Sequence, residues 1–262
     1  MIKNFVKTSP IIIGLAGKAG SGKTSVAERI CPKGSIGPSI VDGVTWDHIF
    51  YALPLYEMAS IRRSIRGHNE VSRKKHALHN VLYDLYGGTP IGNMPEYDTL
   101  VARVHEIMNV DLGPEDQKPR SFLQKAGDIC RQDYPNCFAD WAIMKSVRLY
   151  MSHRSSAEED QEPTPFGVIV SDVRFINEAQ SIQKMPNGLV IYFSASQETL
   201  NDRLIKRDGR ISTPEQDSHK SETESFEVEK IADIIIKTDD LSLEQQVEAT
   251  LNNIGTKEAL NA

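Results

Sequence analysis

The chain has 262 residues, a formal net charge of −6 at neutral pH, 39% hydrophobic and 25% charged residues. That length holds one α/β domain with insertions or two small domains, and the composition is that of a globular protein with a sizeable core. The acid excess argues against a general nucleic-acid binder, and neither a secretory leader nor an apolar run of membrane-spanning length is read. Cys31, Cys130 and Cys137 have neither metal-site nor disulfide-framework spacing, so they read as reduced thiols of a cytosolic protein.

Residues 10–16 predict a buried parallel strand, being a short, β-branched and uncharged run. It leads into Gly17-Lys18-Ala19-Gly20-Ser21-Gly22-Lys23-Thr24 and then a helical pattern from Ser25 to Ile30. This is the G-x-x-x-x-G-K-[ST] phosphate-binding loop in a strand–loop–helix setting. Glycines let the backbone turn its N–H groups toward a phosphate, and the helix N-terminus adds positive potential there. Residues 17–25 are therefore expected to hold ATP, Lys23 bridging its β- and γ-phosphates and the Thr24 hydroxyl holding Mg²⁺. The helix stops near Cys31-Pro32-Lys33-Gly34, a second strand is predicted over Val44–Phe50, and Pro54 suits the first turn of the next helix.

Residues 60–118 read as a helical insertion over the sheet, with basic stretches at Arg62-Arg63 to Arg66 and at Arg73-Lys74-Lys75 and a short helix over Thr99–Met108. Solvated helix faces explain those charges equally well. Pro119–Gln132 is more regular. At about 100° per residue Arg120, Gln124, Asp128 and Arg131 share one side, opposite Phe122, Leu123, Ala126, Ile129 and Cys130. Two guanidiniums, an amide and a carboxylate can hold a phosphate and a base edge, or form an exposed face with i,i+4 pairs. Phe138, Trp141, Met144 and Met151 suggest a further amphipathic helix packed by default into a core, and residues 152–165 a polar surface loop.

Gly167–Asp172 is another buried-strand signature ending in an acid, followed by a helix over Asn177–Lys184, a strand over Gly188–Ser194, a helix over Glu198–Lys206, a strand over Ala232–Lys237 and a closing helix over Leu241–Asn253. Strands alternating with helices predict a parallel sheet covered on both faces. Asp172 stands where a metal-binding acid opposite Thr24 is expected, capping of the next helix being the competing use. Arg174, two residues on, is placed to clamp an acceptor phosphate in the same crevice. Arg203, Arg207 and Arg210, with Lys206 beside them, repeat at helical spacing; they are read as cations for the triphosphate on a helix that opens a lid over 207–222, or else as a solvated basic face. His219 is read as a lid contact.

Taken together these segments resemble the deoxynucleoside monophosphate kinases of bacteriophages, a branch of the P-loop nucleoside monophosphate kinases. The resemblance rests on Gly14–Thr24, on Ala52-Leu53-Pro54-Leu55, on Arg120–Asp128 followed by Trp141, on Ser171-Asp172-Val173-Arg174, and on His219-Lys220-Ser221-Glu222, in that order along nearly the whole chain. It implies one P-loop kinase domain over 1–262, with a helical substrate-binding insertion and a lid, that converts a dNMP to its dNDP with ATP and Mg²⁺. The resemblance itself places the loop, Arg120, Trp141, Asp172 and Arg174 near the ligands; with the residue readings above, Lys23, Arg174, Arg203 and Arg207 would be catalytic, Gln124, Asp128 and Arg131 would join Arg120, Trp141, Asp172 and Arg174 at the dNMP, and Thr24 and Asp172 would hold the metal. The partners expected are these nucleotides, with no nucleic acid and no membrane; a homodimer is left open, and the compartment would be the host cytoplasm for a phage-encoded chain. The chain departs from the family at Tyr56, where a lysine is usual, and at Gly127-Asp128-Ile129, where Gly-Thr-Asp or Gly-Thr-Glu is usual. A P-loop kinase for a nucleoside or coenzyme precursor, and an acceptor-independent ATPase switch, are the alternatives.

Overall fold

A computed structural model describes residues 9–32, 39–65, 67–109, 119–156, 164–209 and 224–260. In chain order its elements are β1 (Ile11–Gly17), α1 (Lys23–Ile30), β2 (Ser39–Val41), β3 (Val44–Phe50), α2 (Leu53–Ser64), α3 (Glu70–Leu85), α4 (Tyr97–Glu106), α5 (Arg120–Asp133), α6 (Cys137–Ser155), β4 (Phe166–Val173), α7 (Ile176–Gln183), β5 (Gly188–Ser194), α8 (Gln197–Asp208), α9 (Ser225–Ile231), β6 (Ile234–Lys237) and α10 (Leu243–Leu260). Two compact units result, one of residues 1–50 and 145–262, the other of residues 51–144.

The first unit is an α/β fold built on a six-stranded sheet in the order β2-β3-β4-β1-β5-β6. All pairings are parallel except β2–β3, which makes the sheet mixed where the sequence predicts a parallel one. The exception is a hairpin turned by Asp42-Gly43, both at positive φ (52° and 77°), the conformation a two-residue hairpin turn demands. β1 is buried along its whole length between β4 and β5, which is why its sequence is apolar on both faces. Ile11, Ile13 and Leu15 pack with Val26, Ala27 and Ile30 of α1 and with Ile254 of α10. Each such aliphatic side chain contributes about 1.5–3 kcal/mol on burial. Gly14 faces the other way, where a Cβ would lie 2.7 Å from Cδ1 of Ile182, so α7 packs directly on the backbone of the central strand. Because β1, β3, β4, β5 and β6 run parallel, their carboxyl ends share one edge of the sheet, where β1 sits between connections leading to opposite sides.

The second unit is helical and larger than the predicted insertion. It begins at Tyr51 and ends at Met144, so it takes in α2, α5 and the start of α6 and not only residues 60–118. The reason is apolar matching: Leu55 and Met58 of α2, Leu78 and Leu82 of α3, Leu100 and Val104 of α4, and Phe122 and Ala126 of α5 are all buried. Several polar groups of this unit are paired, although the buried Thr89 and Tyr97 hydroxyls have no partner among the described residues. The Tyr86 hydroxyl donates to the Cys130 carbonyl at 2.7 Å, and Arg103 grips Asp133 with bonds of 2.7 and 3.0 Å. Burial pushes the Tyr86 and Cys130 ionisations up, so both stay neutral. Of the basic stretches, Lys74 is buried and paired with Glu70 one turn earlier, while Arg66 lies outside the described residues. α6 continues to Ser155, into the stretch read as loop, and Met151 on it is exposed and not core. Among the described residues no helix is long and apolar enough to cross a membrane.

Candidate functional site

The loop between β1 and α1 has the backbone its sequence requires. Gly17, Gly20 and Gly22 have φ of 137°, 85° and 99°, and a Cβ at Gly17 would lie 2.6 Å from both the Phe193 carbonyl and Ser21 Oγ. A Cβ at Gly22 would run into Oε1 of Gln246 on α10. The Lys18 carbonyl accepts the Ser21 N–H at 3.2 Å and Nζ of Lys23 at 3.1 Å, so the turn closes on its own lysine. No side chain caps the first N–H groups of α1, whose N-cap is Gly22. Lys23 is only 5% exposed, Ala19 and Thr24 are half-buried, and Ser25 is exposed.

Lys23 Nζ also lies 3.6 Å from Oδ1 of Asp172, and the same oxygen accepts from Arg174 Nε at 3.0 Å. Asp172 occupies this point through a bulge. Leu15 pairs with Ser171 and Ala16 with Val173, so Asp172 is skipped by the β1–β4 ladder and takes φ 69°. Aspartate is one of the few residues at home there, and strained backbone of this kind concentrates at functional sites. The start of the next helix is capped. That is done by Glu178, 2% exposed, whose Oε2 accepts the N–H groups of Arg174 (3.0 Å) and Phe175 (3.2 Å). Arg174 is thus fixed at its backbone by one carboxylate and at its side chain by another.

Searches against known proteins add little to this geometry. No protein-family model matches the chain, and no curated protein does. Among solved structures, the chain is similar to the crystal structure of TT1252 from Thermus thermophilus, at 18% identity over 94% of this chain and 98% of that one, with a TM-score of 0.41.

Two residues with sequence-derived ligand roles make contacts of another kind. Arg203, read as a lid cation for the triphosphate, is bonded to the loop: its Nη1 donates to Thr238 Oγ1 at 3.0 Å and to the Gly20 carbonyl at 3.4 Å, and its Nη2 to the Thr238 carbonyl. Trp141, read as a dNMP contact, is 2% exposed, and its indole N–H donates to Asp84 at 3.0 Å. A side chain so enclosed is core of the helical unit and has almost no surface for a ligand. Arg207 is exposed near the end of α8, whose C-cap is Gly209 at φ 69°. Arg210, His219 and the rest of the predicted lid to residue 222 lie outside the described residues.

On α5 the predicted sidedness holds. Phe122, Leu123, Ala126 and Cys130 are buried; Ile129 is half-buried; Arg120, Gln124 and Arg131 are half-buried and Asp128 is exposed. Arg131 lies 4.5 Å from the centre of the Phe138 ring, a cation–π contact that fixes its guanidinium plane. Tyr56, at the family's usual lysine position, is half-buried on α2.

Other groups were not foreseen. His48 Nε2 and Ser171 Oγ are 2.8 Å apart, which ties β3 to β4 one residue before Asp172. Lys18 Nζ lies 4.1 Å above the Phe226 ring and 3.4 Å from Gln197 Oε1, so α8 and α9 both hold the loop's first cation. Asp239 accepts the Ser196 N–H and the Thr199 hydroxyl, each at 2.8 Å, and these bonds bring its carboxyl down to about 2. Each contact joins residues far apart in sequence, and no local motif announces it.

Proposed function

We propose that the protein is a nucleoside monophosphate kinase that transfers the γ-phosphoryl group of ATP to a deoxynucleoside monophosphate. The observation that carries the phosphate chemistry is the 3.6 Å approach of Lys23 to Asp172 at the rim of a loop built from left-handed glycines. The acceptor class follows from the motif resemblance. In this reading the loop amides and Lys23 bind the β- and γ-phosphates, Arg174 holds the acceptor phosphate, and Arg207 adds positive charge on the donor side.

An acceptor phosphate oxygen attacks the γ-phosphorus, the bond from that phosphorus to the β–γ bridging oxygen breaks, and ADP leaves with the electron pair. The acceptor oxygen is already ionised near neutral pH, so no general base is needed and the protein's part is alignment and charge stabilisation. Thr24 and Asp172 suit Mg²⁺. A hydroxyl and a carboxylate are hard oxygen donors, too few for a protein cage but sufficient when phosphates complete the shell. Bound there, the metal would neutralise charge on the transferring group.

The test is ADP formation from ATP against a panel of dNMPs, nucleosides and dephospho-coenzyme precursors. Turnover with at least one dNMP, well above ATP hydrolysis without acceptor, is expected. Turnover with nucleosides or coenzyme precursors alone, or hydrolysis indifferent to acceptor, refutes the assignment.

A further inference from the structure

A phosphate-binding loop works only if its peptide planes are turned the right way. In a trans peptide the C=O and the following N–H point in opposite directions, so fixing one carbonyl outward aims the next amide inward. Two carbonyls of this loop are fixed so. The Gly20 carbonyl accepts from Arg203 Nη1 at 3.4 Å, and the Ser21 carbonyl lies 3.3 Å from the Thr238 hydroxyl. Thr238 is fully buried just past β6, and its own N–H donates to the Ser194 carbonyl at the end of β5 (2.8 Å). Its hydroxyl lies 3.3 Å from that same carbonyl as well, while accepting from Arg203 at 3.0 Å. The ends of β5 and β6, helix α8 and the loop's outward face therefore meet on one threonine and one arginine.

We propose that Arg203 and Thr238 are positioning residues: they orient the peptide planes from Gly20 to Gly22, so that the amide of Gly22 in particular faces a bound phosphate, and neither needs to touch the nucleotide. The inference rests on the nucleotide-binding reading above. It gives Arg203 a role different from the lid cation its helical spacing suggests. A buried hydroxyl that serves this many partners has no substitute among residues lacking a donor.

Thr238→Val keeps the shape and removes the hydroxyl; Thr238→Ser keeps the hydroxyl and removes a methyl group. ATP and ADP binding, measured by calorimetry on folded protein well below each variant's melting temperature, is expected to weaken about five- to tenfold in Thr238→Val, as for one lost hydrogen bond. Thr238→Ser should stay within about twofold of wild type, although its lost methyl lowers the melting temperature. A purely structural role would instead track stability, with both variants destabilised and nucleotide affinity unmoved. Thr238→Val binding ATP like wild type, or Thr238→Ser binding as poorly as Thr238→Val, would overturn the positioning role alone. A wild-type chain that binds no nucleotide would overturn the reading beneath it and the positioning role with it. Should Thr238→Val not fold, Arg203→Lys takes its place: it keeps the charge, cannot reach both Thr238 and Gly20, and is expected to weaken ATP at least threefold, equal affinity being the refuting result.

Discussion

Replacing Asp172 by asparagine separates two effects that a loss-of-activity mutant would merge. Asparagine tolerates the left-handed backbone at φ 69° and keeps the side-chain shape, so the bulge should survive. What disappears is an anion shared by Lys23 at 3.6 Å and Arg174 at 3.0 Å. A phosphate charge about 6 Å from that carboxylate is repelled by roughly 1–3 kcal/mol at an effective dielectric of 20–40. Removing the carboxylate should therefore raise metal-free ATP affinity about tenfold, near the low end of that range because the side chains are partly solvated. With Mg²⁺ present, one metal ligand is lost and turnover should fall by about 10²–10³-fold. Equilibrium binding of ATP in a chelator, beside steady-state turnover in Mg²⁺, measures both. An Asp172→Asn variant that binds metal-free ATP more weakly than wild type, or keeps more than about a tenth of its turnover, refutes the reasoning.

Lys23→Met keeps the buried methylenes and should cut turnover about 10²–10³-fold, with a melting temperature only a few degrees lower because Asp172 retains Arg174; retention of most of the wild-type rate would contradict the γ-phosphate contact. Arg174→Ala should raise the acceptor KM or lower kcat while leaving ATP affinity within about threefold, and unchanged acceptor kinetics would count against its role. Trp141→Phe should cost about 1–3 kcal/mol of stability through the lost Asp84 contact, with the acceptor KM unmoved; a raised KM at unchanged stability would return Trp141 to the ligand. Asp239 binds its proton less readily in the folded chain, its carboxyl lowered from 3.8 to about 2, so its contribution to stability is complete above about pH 4 and fades as the pH falls toward 2. The stability gap between wild type and Asp239→Asn should accordingly close over that interval, and a gap independent of pH would exclude the charge as its source.

The buried strand β5 is legible in the sequence because a strand covered on both faces must be apolar throughout, and it coincides with the run Gly188–Ser194; β3 coincides with Val44–Phe50 although Asp47 and His48 interrupt its apolar run. The glycine loop between β1 and α1 is legible because its glycines answer a local backbone need. Asp42-Gly43 offers a hairpin signal of the same local kind, but the strand before it is only three residues long. The Asp172 bulge is not legible, since its positive φ follows from how β4 pairs with β1 and not from its immediate neighbours. Helical periodicity puts Arg203 and Arg207 on related faces without saying that Thr238 and Gly20 would meet the first of them. For Trp141 the core-packing default outlasts the role the resemblance implied, because Asp84 satisfies its indole from within the helical unit.

A net charge of −6 also conceals how the cations near the sheet's carboxyl edge are held. Lys23 and Arg174 both lean on the carboxylate of Asp172, so a single anion steadies two cations. Lys18 and Arg203 are held differently, by a phenyl ring and an amide in one case and by a hydroxyl and carbonyls in the other. Uncharged partners fix a cation in place without cancelling its field. Because β1, β4 and β6 run parallel, the loop after β1, the bulge near the end of β4 and Thr238 after β6 fall on the same edge, and the four cations fall there with them. Two of the four are held there by uncharged groups and two by one shared carboxylate, and composition alone could not reveal it, since it records how many charges there are and nothing of what holds them.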